Sequence, residues 1–150
     1  MIIEPATPAD LDAIDEIERA SFPAPWPKET FAGELEREWA RVEVARDETG
    51  RIVAFCNYWL VTTELHILAI ATRPELRGQG IAGMLLRHVL DVAATTGCAL
   101  ATLEVRRSNK AAIALYERAG FKTVHVRARY YQDDGEDALV MLRGLTAEEG

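Results

Sequence analysis

The sequence predicts an α+β protein: a mixed, mostly antiparallel sheet of roughly six or seven strands, about four helices and one parallel crossover. Three observations lead there. Runs rich in β-branched and aromatic residues alternate with segments of helical period, and turn chemistry joins the early strands into hairpins. One strand, Glu64 to Thr72, gives way to a long apolar helix and then to another apolar strand, Ala99 to Val105, the length that a βαβ unit needs.

Taken in order, Ile2 and Ile3 form a short strand that Pro5 closes. A helix starts near Pro8, because Thr7 can cap it, Asp10 and Asp12 suit its positive first turn, and Leu11, Ile14, Ile17 and Glu18 follow helical spacing. Pro23, Pro25 and Pro27 forbid helix between Phe22 and Trp26, and a second helix is expected from Lys28 to Glu38 with Phe31 and Leu35 one turn apart. Val42 to Arg46 and Arg51 to Leu60 make a hairpin around Asp47-Glu48-Thr49-Gly50.

Pro74 stops the next strand. Ile81, Met84, Leu85, His88, Val89 and Val92 then share one helical face, and Gly97 ends that helix. Asn109 can cap a fourth helix through Ala111 to Arg118, and Gly120 followed by Phe121 suits a Schellman ending. Phe121 to Val126 and Ala138 to Leu142 read as strands around Asp133-Asp134-Gly135, and the polar tail Thr146 to Gly150 is expected to fray.

A chain of 150 residues is expected to form a single domain spanning residues 1–150, and with 49% hydrophobic residues it has material for one continuous core. Seventeen Lys and Arg against 24 Asp and Glu leave a net charge of -7, which weighs against nucleic acid and anionic membranes as partners. Cys56 and Cys98 lie among apolar residues outside any metal-ligand spacing, and His66, His88 and His125 are scattered, so no metal is expected. The N-terminus has no basic leader and no run approaches the roughly 20 apolar residues of a membrane span, which points to a cytoplasmic, soluble chain.

Two segments concentrate chemistry. Arg77-Gly78-Gln79-Gly80-Ile81-Ala82 sits between a strand and an apolar helix, where glycines allow close approach and the helix's free N–H groups make an anion site. It lacks the Gly-Lys-Ser/Thr of a Walker loop and the Gly-x-Gly-x-x-Gly of a dinucleotide fold; an ordinary strand-to-helix turn is the plain alternative. In Leu103-Glu104-Val105-Arg106 a carboxylate interrupts an apolar strand near its carboxyl end, where ligands collect in α/β sheets. Its plain alternative is an ion pair with Arg106, Arg107 or a side chain from another strand. Tyr116, on the inner face of the next helix, reads by itself as a core aromatic.

Together, Ala69 to Phe121 resembles the acetyl-CoA core of the GNAT N-acetyltransferase family, whose Arg/Gln-x-x-Gly-x-Gly/Ala signature is met by Arg77, Gly80 and Ala82. The resemblance extends over nearly the whole chain. Phe22, Pro25 and Trp26, then Leu103-Glu104-Val105-Arg106, Ser108-Asn109, Ala112 to Tyr116 and Gly120-Phe121, then Tyr130-Tyr131 with Glu136-Asp137-Ala138, resemble the RimI-type ribosomal-protein-alanine N-acetyltransferases.

That resemblance implies a GNAT fold with acetyl-CoA as acetyl donor. It implies that Ile70, Ala71 and Thr72 pair their backbone with the pantetheine arm, and that Arg77 and the loop Gly78, Gln79, Gly80, Ile81, Ala82 and Gly83 hold the pyrophosphate. It also implies a coenzyme contact at Asn109, a general base at Glu104 and a general acid at Tyr116. Gly78 stands where the family often carries Arg or Lys, which leaves Arg77 and Arg73 as the cations expected to compensate. Phe22 to Pro27 and Arg129 to Tyr131 are candidates for lining a peptide groove, against a reading in which they only pack.

The expected reaction is acetyl transfer to the N-terminal α-amine of a protein, in particular the N-terminal alanine of a small-subunit ribosomal protein. An α-amine needs only about 1 to 1.4 kcal/mol to lose its proton at pH 7, against about 4.6 for a lysine. Acetylation of lysine side chains or small amines is the alternative on the same fold. A non-catalytic acyl-CoA-binding module is the alternative of a different class, and the presence of both Glu104 and Tyr116 argues against it.

Overall fold

The computed structural model describes residues 1–145; the expectation for Thr146 to Gly150 lies outside them. The strands are β1 (Ile2–Pro5), β2 (Ala40–Arg46), β3 (Ile52–Val61), β4 (Glu64–Thr72), β5 (Leu100–Arg106), β6 (Lys122–Arg127) and β7 (Ala138–Gly144). They form one seven-stranded sheet in the order β1-β2-β3-β4-β5-β7-β6, antiparallel throughout except for the parallel pair β4 and β5. The helices are α1 (Leu11–Ser21), α2 (Lys28–Glu34), α3 (Ile81–Thr95) and α4 (Lys110–Arg118), and α3 makes the crossover from β4 to β5.

The alternation of side chains along β3 divides the core in two. Phe55 points to the layer built with Ile14, Ile17 and Phe31 of α1 and α2, whereas its neighbour Cys56 points to the layer built with Leu85, Leu86 and Val89 of α3. No helix among the described residues is long and apolar enough to cross a membrane.

The second helix is shorter than its spacing implied, ending at Glu34 rather than Glu38. Tertiary demand explains the difference. Glu34 is 1% exposed, and its Oε1 accepts hydrogen bonds from Asn57 Nδ2 at 3.1 Å and Trp59 Nε1 at 2.7 Å, while Oε2 accepts from Arg37 at 2.9 Å. Pinning this carboxylate to β3 turns the chain at once, so that Ala40 can start β2 opposite Trp59.

The sheet also parts where the two parallel strands run on. Pairing of β4 with β5 covers Glu64 to Ile67 against Leu100 to Leu103 and then stops. Beyond it, Ala69 to Thr72 stay bonded to β3, and Glu104 to Arg106 stay bonded to β7. Leu68 is the extra residue of a bulge opposite Asn57 and Tyr58, the kind of irregularity that sharpens local twist and separates neighbours.

Candidate functional site

The parting of β4 from β5 opens a groove of about 1230 Å³ that runs between α3 and α4. One wall is Ile70, Ala71 and Thr72, whose strand has lost its β5 partner at this level. The hydroxyl Oγ1 of Thr72 is buried there without a hydrogen-bond partner among the described residues. The floor is the loop into α3: Arg77, Gly78, Gly80, Ile81, Ala82 and Gly83 all line the groove, whereas Gln79 does not. Asn109 lies on the opposite wall.

Backbone conformation explains the glycines of this loop. Gly78 has φ +82° and Gly80 φ +84°, a region that costs an L-residue roughly 1–2 kcal/mol, and the space a Cβ would fill at each is open. Gly80 is the N-cap of α3 and has no side chain to bond the first helical N–H groups, which are left with the positive end of the helix facing the groove. Unpartnered amides, an orphaned hydroxyl and strand edges without a neighbour fit an extended, phosphate-bearing thioester such as acetyl-CoA.

The cations are arranged differently from the expectation. Arg73 is not available to a phosphate: it is buried, its Nε donates to Ile52 O at 2.7 Å and its guanidinium pairs with Glu16. Burial next to a carbonyl and a carboxylate directs it to fastening α1 onto the sheet. Arg77 borders the groove but donates to Ser21 Oγ at 3.1 Å and to the carbonyls of Thr72 and Ala20. Arg87, Arg118 and Arg143 line the groove farther along and carry no sequence signal that singles them out.

Asn109 caps α4 as its position suggested, with Oδ1 accepting the Ala112 N–H at 3.2 Å, which leaves its amide nitrogen for the groove. The other end of α4 closes in a Schellman motif: Phe121 N–H donates to Tyr116 O at 3.0 Å and Gly120 N–H to Glu117 O at 3.0 Å, with Gly120 at φ +93°. The same motif packs Phe121 on Tyr116, ring centroids 5.7 Å apart, which fixes the Tyr116 ring inside the α3 layer. Burial drives the Tyr116 phenol well above its ordinary pKa, with smaller contributions from Cys56 and Tyr131, so it stays protonated.

Glu104 stands on the opposite face. Leu103 and Val105 are buried in the α3 layer, so the residue between them projects to the side of the sheet that α1 and α2 leave uncovered. Its Oε2 lies 3.4 Å from Nε of Arg127, a partner from another strand as the plain alternative supposed, but this is an open ion pair with Arg127 54% exposed. Tyr130 adjoins it: burial and then the Glu104 charge raise the Tyr130 pKa. Neither Glu104 nor Tyr116 lines the α3–α4 groove; the parted strands are what lies between the groove and the Glu104 face.

Two groups hold loops in place, a role that the sequence did not assign to them. Glu18 is 4% exposed, its Oε2 accepts the Trp26 N–H at 3.0 Å and its Oε1 has no partner among the described residues, so a buried carboxylate of α1 carries the proline-rich loop. The available signal was a Glu on the apolar face of α1 just before that loop. Within it, Trp26 packs on Phe31 at 5.5 Å, as the packing reading had it, while Phe22 borders the groove. The second group is Arg106, which bonds Asp133 and Asp134 and lies over the Tyr131 ring.

Comparison with known proteins agrees with this architecture. The acetyltransferase (GNAT) family profile matches residues 11–121. The [ribosomal protein bS18]-alanine N-acetyltransferases of Salmonella typhimurium and of Escherichia coli K12 are each 37% identical over 134 residues, covering 88% of this chain and 89% of their own. The crystal structure of the ribosomal-protein-S18-alanine N-acetyltransferase from Escherichia coli superposes with a TM-score of 0.88 at 35% identity, covering 97% of this chain and 94% of that one. With the parted sheet and the glycine-lined helix start already in place, these matches settle the family: the chain belongs to the acetyltransferase (GNAT) family, whose acetyl donor is acetyl-CoA.

Proposed function

We propose that residues 1–150 form a single acetyltransferase domain that moves acetyl from acetyl-CoA to the N-terminal α-amine of a protein. The substrate we favour is the N-terminal alanine of a small-subunit ribosomal protein; the names of the Salmonella and Escherichia coli relatives give an alanine of ribosomal protein bS18 as theirs. The observation that carries this reading is the parting of β4 from β5. It sets a groove suited to the donor on one side of the sheet and the Glu104 carboxylate on the other, with the gap as the place where the two reactants meet.

The donor supplies an activated acetyl thioester. Backbone groups of Ile70, Ala71 and Thr72 align its arm, and the amides of Gly78 to Gly83, Gln79 included, receive its phosphates, with Arg77 and Asn109 at the margins. On the other side, the neutral α-amine attacks the thioester carbonyl, and Glu104 accepts the proton that its nitrogen gives up as the C–N bond forms, directly or through a water. Tyr116, held protonated by burial, gives a proton to the thiolate released when the C–S bond breaks. Its raised pKa makes full transfer harder than the reference values of about 10 for a phenol and 8.5 for a thiol imply. Tyr116 therefore assists mainly by hydrogen bonding to the sulfur as charge develops.

An α-amine suits this site because its deprotonation is about 3 kcal/mol easier than that of lysine, part of which a desolvating site can offset. The test is kcat/KM at pH 7 to 8 on two peptides, one with a free N-terminal alanine and no lysine, the other N-blocked with one internal lysine. The α-amine peptide should be favoured at least about 100-fold. Preference for the lysine peptide would move the assignment to lysine acetylation on the same fold.

A further inference from the structure

The connection between β6 and β7 is ten residues long, Ala128 to Asp137, and has no strand or helix of its own. Exposed loops of this kind are ordinarily the softest part of a fold. This one is drawn onto the end of β5, where Arg107 pairs with Asp137 at 3.3 Å and its backbone N–H donates to Asp137 O at 3.1 Å, and where one side chain, Arg106, gathers the rest of the loop. Arg106, two residues beyond Glu104 and on the same face of the strand, keeps only 14% of its side chain exposed. Its Nη2 donates to both oxygens of Asp133, at 3.0 and 2.9 Å, its Nη1 donates to Asp134 at 3.2 Å, and Glu136 Oε1 lies 3.5 Å from Nη1. The face of the guanidinium lies 4.0 Å over the Tyr131 ring, and Tyr131 packs edge-on against Tyr130 at 5.2 Å.

The acids in turn organise the backbone. Glu136 accepts the Ser108 N–H, Asp134 accepts the Glu136 N–H at 2.9 Å, and Asp137 accepts the Arg129 N–H at 3.0 Å, where Arg129 takes a left-handed φ of +51°. Tyr131 N–H donates to Glu136 O at 3.1 Å and Gly135 N–H to Tyr131 O at 2.8 Å, closing the turn that Arg106 fills. A planar fork that bonds a different carboxylate through each of its two terminal nitrogens and stacks on an aromatic face has a role a lysine cannot take over.

We propose that Arg106 is a positioning residue for the acceptor: by gathering Asp133, Asp134 and Glu136 and stacking on Tyr131, it holds the 128–137 loop in the shape that places Tyr130 and Tyr131 beside Glu104. The inference rests on the reading that the acceptor amine arrives on the Glu104 face. Arg106 itself touches neither reactant. Its effect is on how well the acceptor is seated, and it leaves the donor groove, on the other side of the sheet, unchanged.

The test compares wild type with Arg106→Lys and with the surface double variant Asp133→Asn/Asp134→Asn, which reaches the same clamp from the loop side. Three quantities are measured: KM and kcat for the α-amine peptide, the acetyl-CoA dissociation constant, and amide hydrogen exchange at Ser108, Tyr131, Gly135 and Glu136. Both variants should raise the peptide KM at least about tenfold with a smaller change in kcat, leave acetyl-CoA binding within about twofold, and speed exchange at those four amides. Unaltered exchange and KM in both variants would overturn the clamp, as would an acetyl-CoA affinity that falls in step with peptide KM. The exchange measurement needs no acceptor, so a wild-type enzyme that ignores the α-amine peptide but whose loop loosens in both variants would overturn the acceptor assignment and leave the clamp standing.

Discussion

The two sides of the parted sheet are built from different materials. Where β4 leads into α3, the groove is backbone: strand edges without a partner, two glycines in the left-handed region and the free amides of one helix, all drawn from Ile70 to Gly83. The Glu104 face is side chain: a carboxylate from β5, Arg127 from β6, and tyrosines on a loop that Arg106 fastens down. A backbone-built site is held by the same hydrogen bonds that make the sheet and helix. A side-chain-built site depends on ion pairs and stacking that are individually weak at a surface. The donor side should therefore tolerate side-chain changes and fail on glycine replacement, and the acceptor side should do the reverse.

The largest effect that separates the two sides is expected at Glu104. Glu104→Gln should lower kcat by roughly 10²- to 10⁴-fold while acetyl-CoA binds with near-normal affinity, because a general base acts in the transition state and not in holding the donor. Activity retained at pH 7 would place the base elsewhere and return Glu104 to its pairing with Arg127.

A smaller effect of the opposite kind is expected at Gly80. Gly80→Val forces a β-branched side chain to φ +84° and puts methyl groups into the open space where the proposed phosphate site lies. The acetyl-CoA dissociation constant should rise more than about tenfold, about 1.4 kcal/mol, while peptide KM at saturating donor changes little. Calorimetry showing unchanged affinity in a folded variant would remove the loop from the phosphate site.

The smallest effect concerns the loop that Glu18 carries. Burial holds the Glu18 carboxyl above the usual carboxylate range, against the Trp26 hydrogen bond that favours its ionised form. The folded state thus keeps a proton that the unfolded state releases. Stability falls as pH rises from the ordinary carboxylate pKa through the raised folded one, and the loss is complete above it. Glu18→Gln should flatten that slope in a plot of Tm against pH from 4 upward, by a few degrees at most. An identical slope in wild type and variant would show that Glu18 ionises without penalty.

How much was legible in the sequence follows the same division. Gly78, Gly80 and Asn109, the cap and Schellman ending of α4, and the βαβ crossover are local patterns whose geometry is dictated by neighbours a few residues away, and they stand where the spacing indicated. The early end of α2 was not legible, because it follows from a contact between Glu34 and residues 23 and 25 positions later. The same holds for Arg73, which the family resemblance offered as a compensating cation for the phosphate and which Ile52 and Glu16 hold elsewhere.

By itself, the order of hydrophobic periods and turn residues determined the class of fold, the place of the parallel crossover and the glycine-lined start of α3, since each depends on short-range backbone sterics and on which face of an element is apolar. Tertiary structure alone decided that β4 and β5 separate after Ile67 and Leu103, that Glu104 faces away from Tyr116's layer, and that Arg106 meets acids 27 and 28 positions along the chain. Those outcomes depend on register, twist and the pairing of charges across the fold, quantities to which a residue's neighbours in sequence are indifferent.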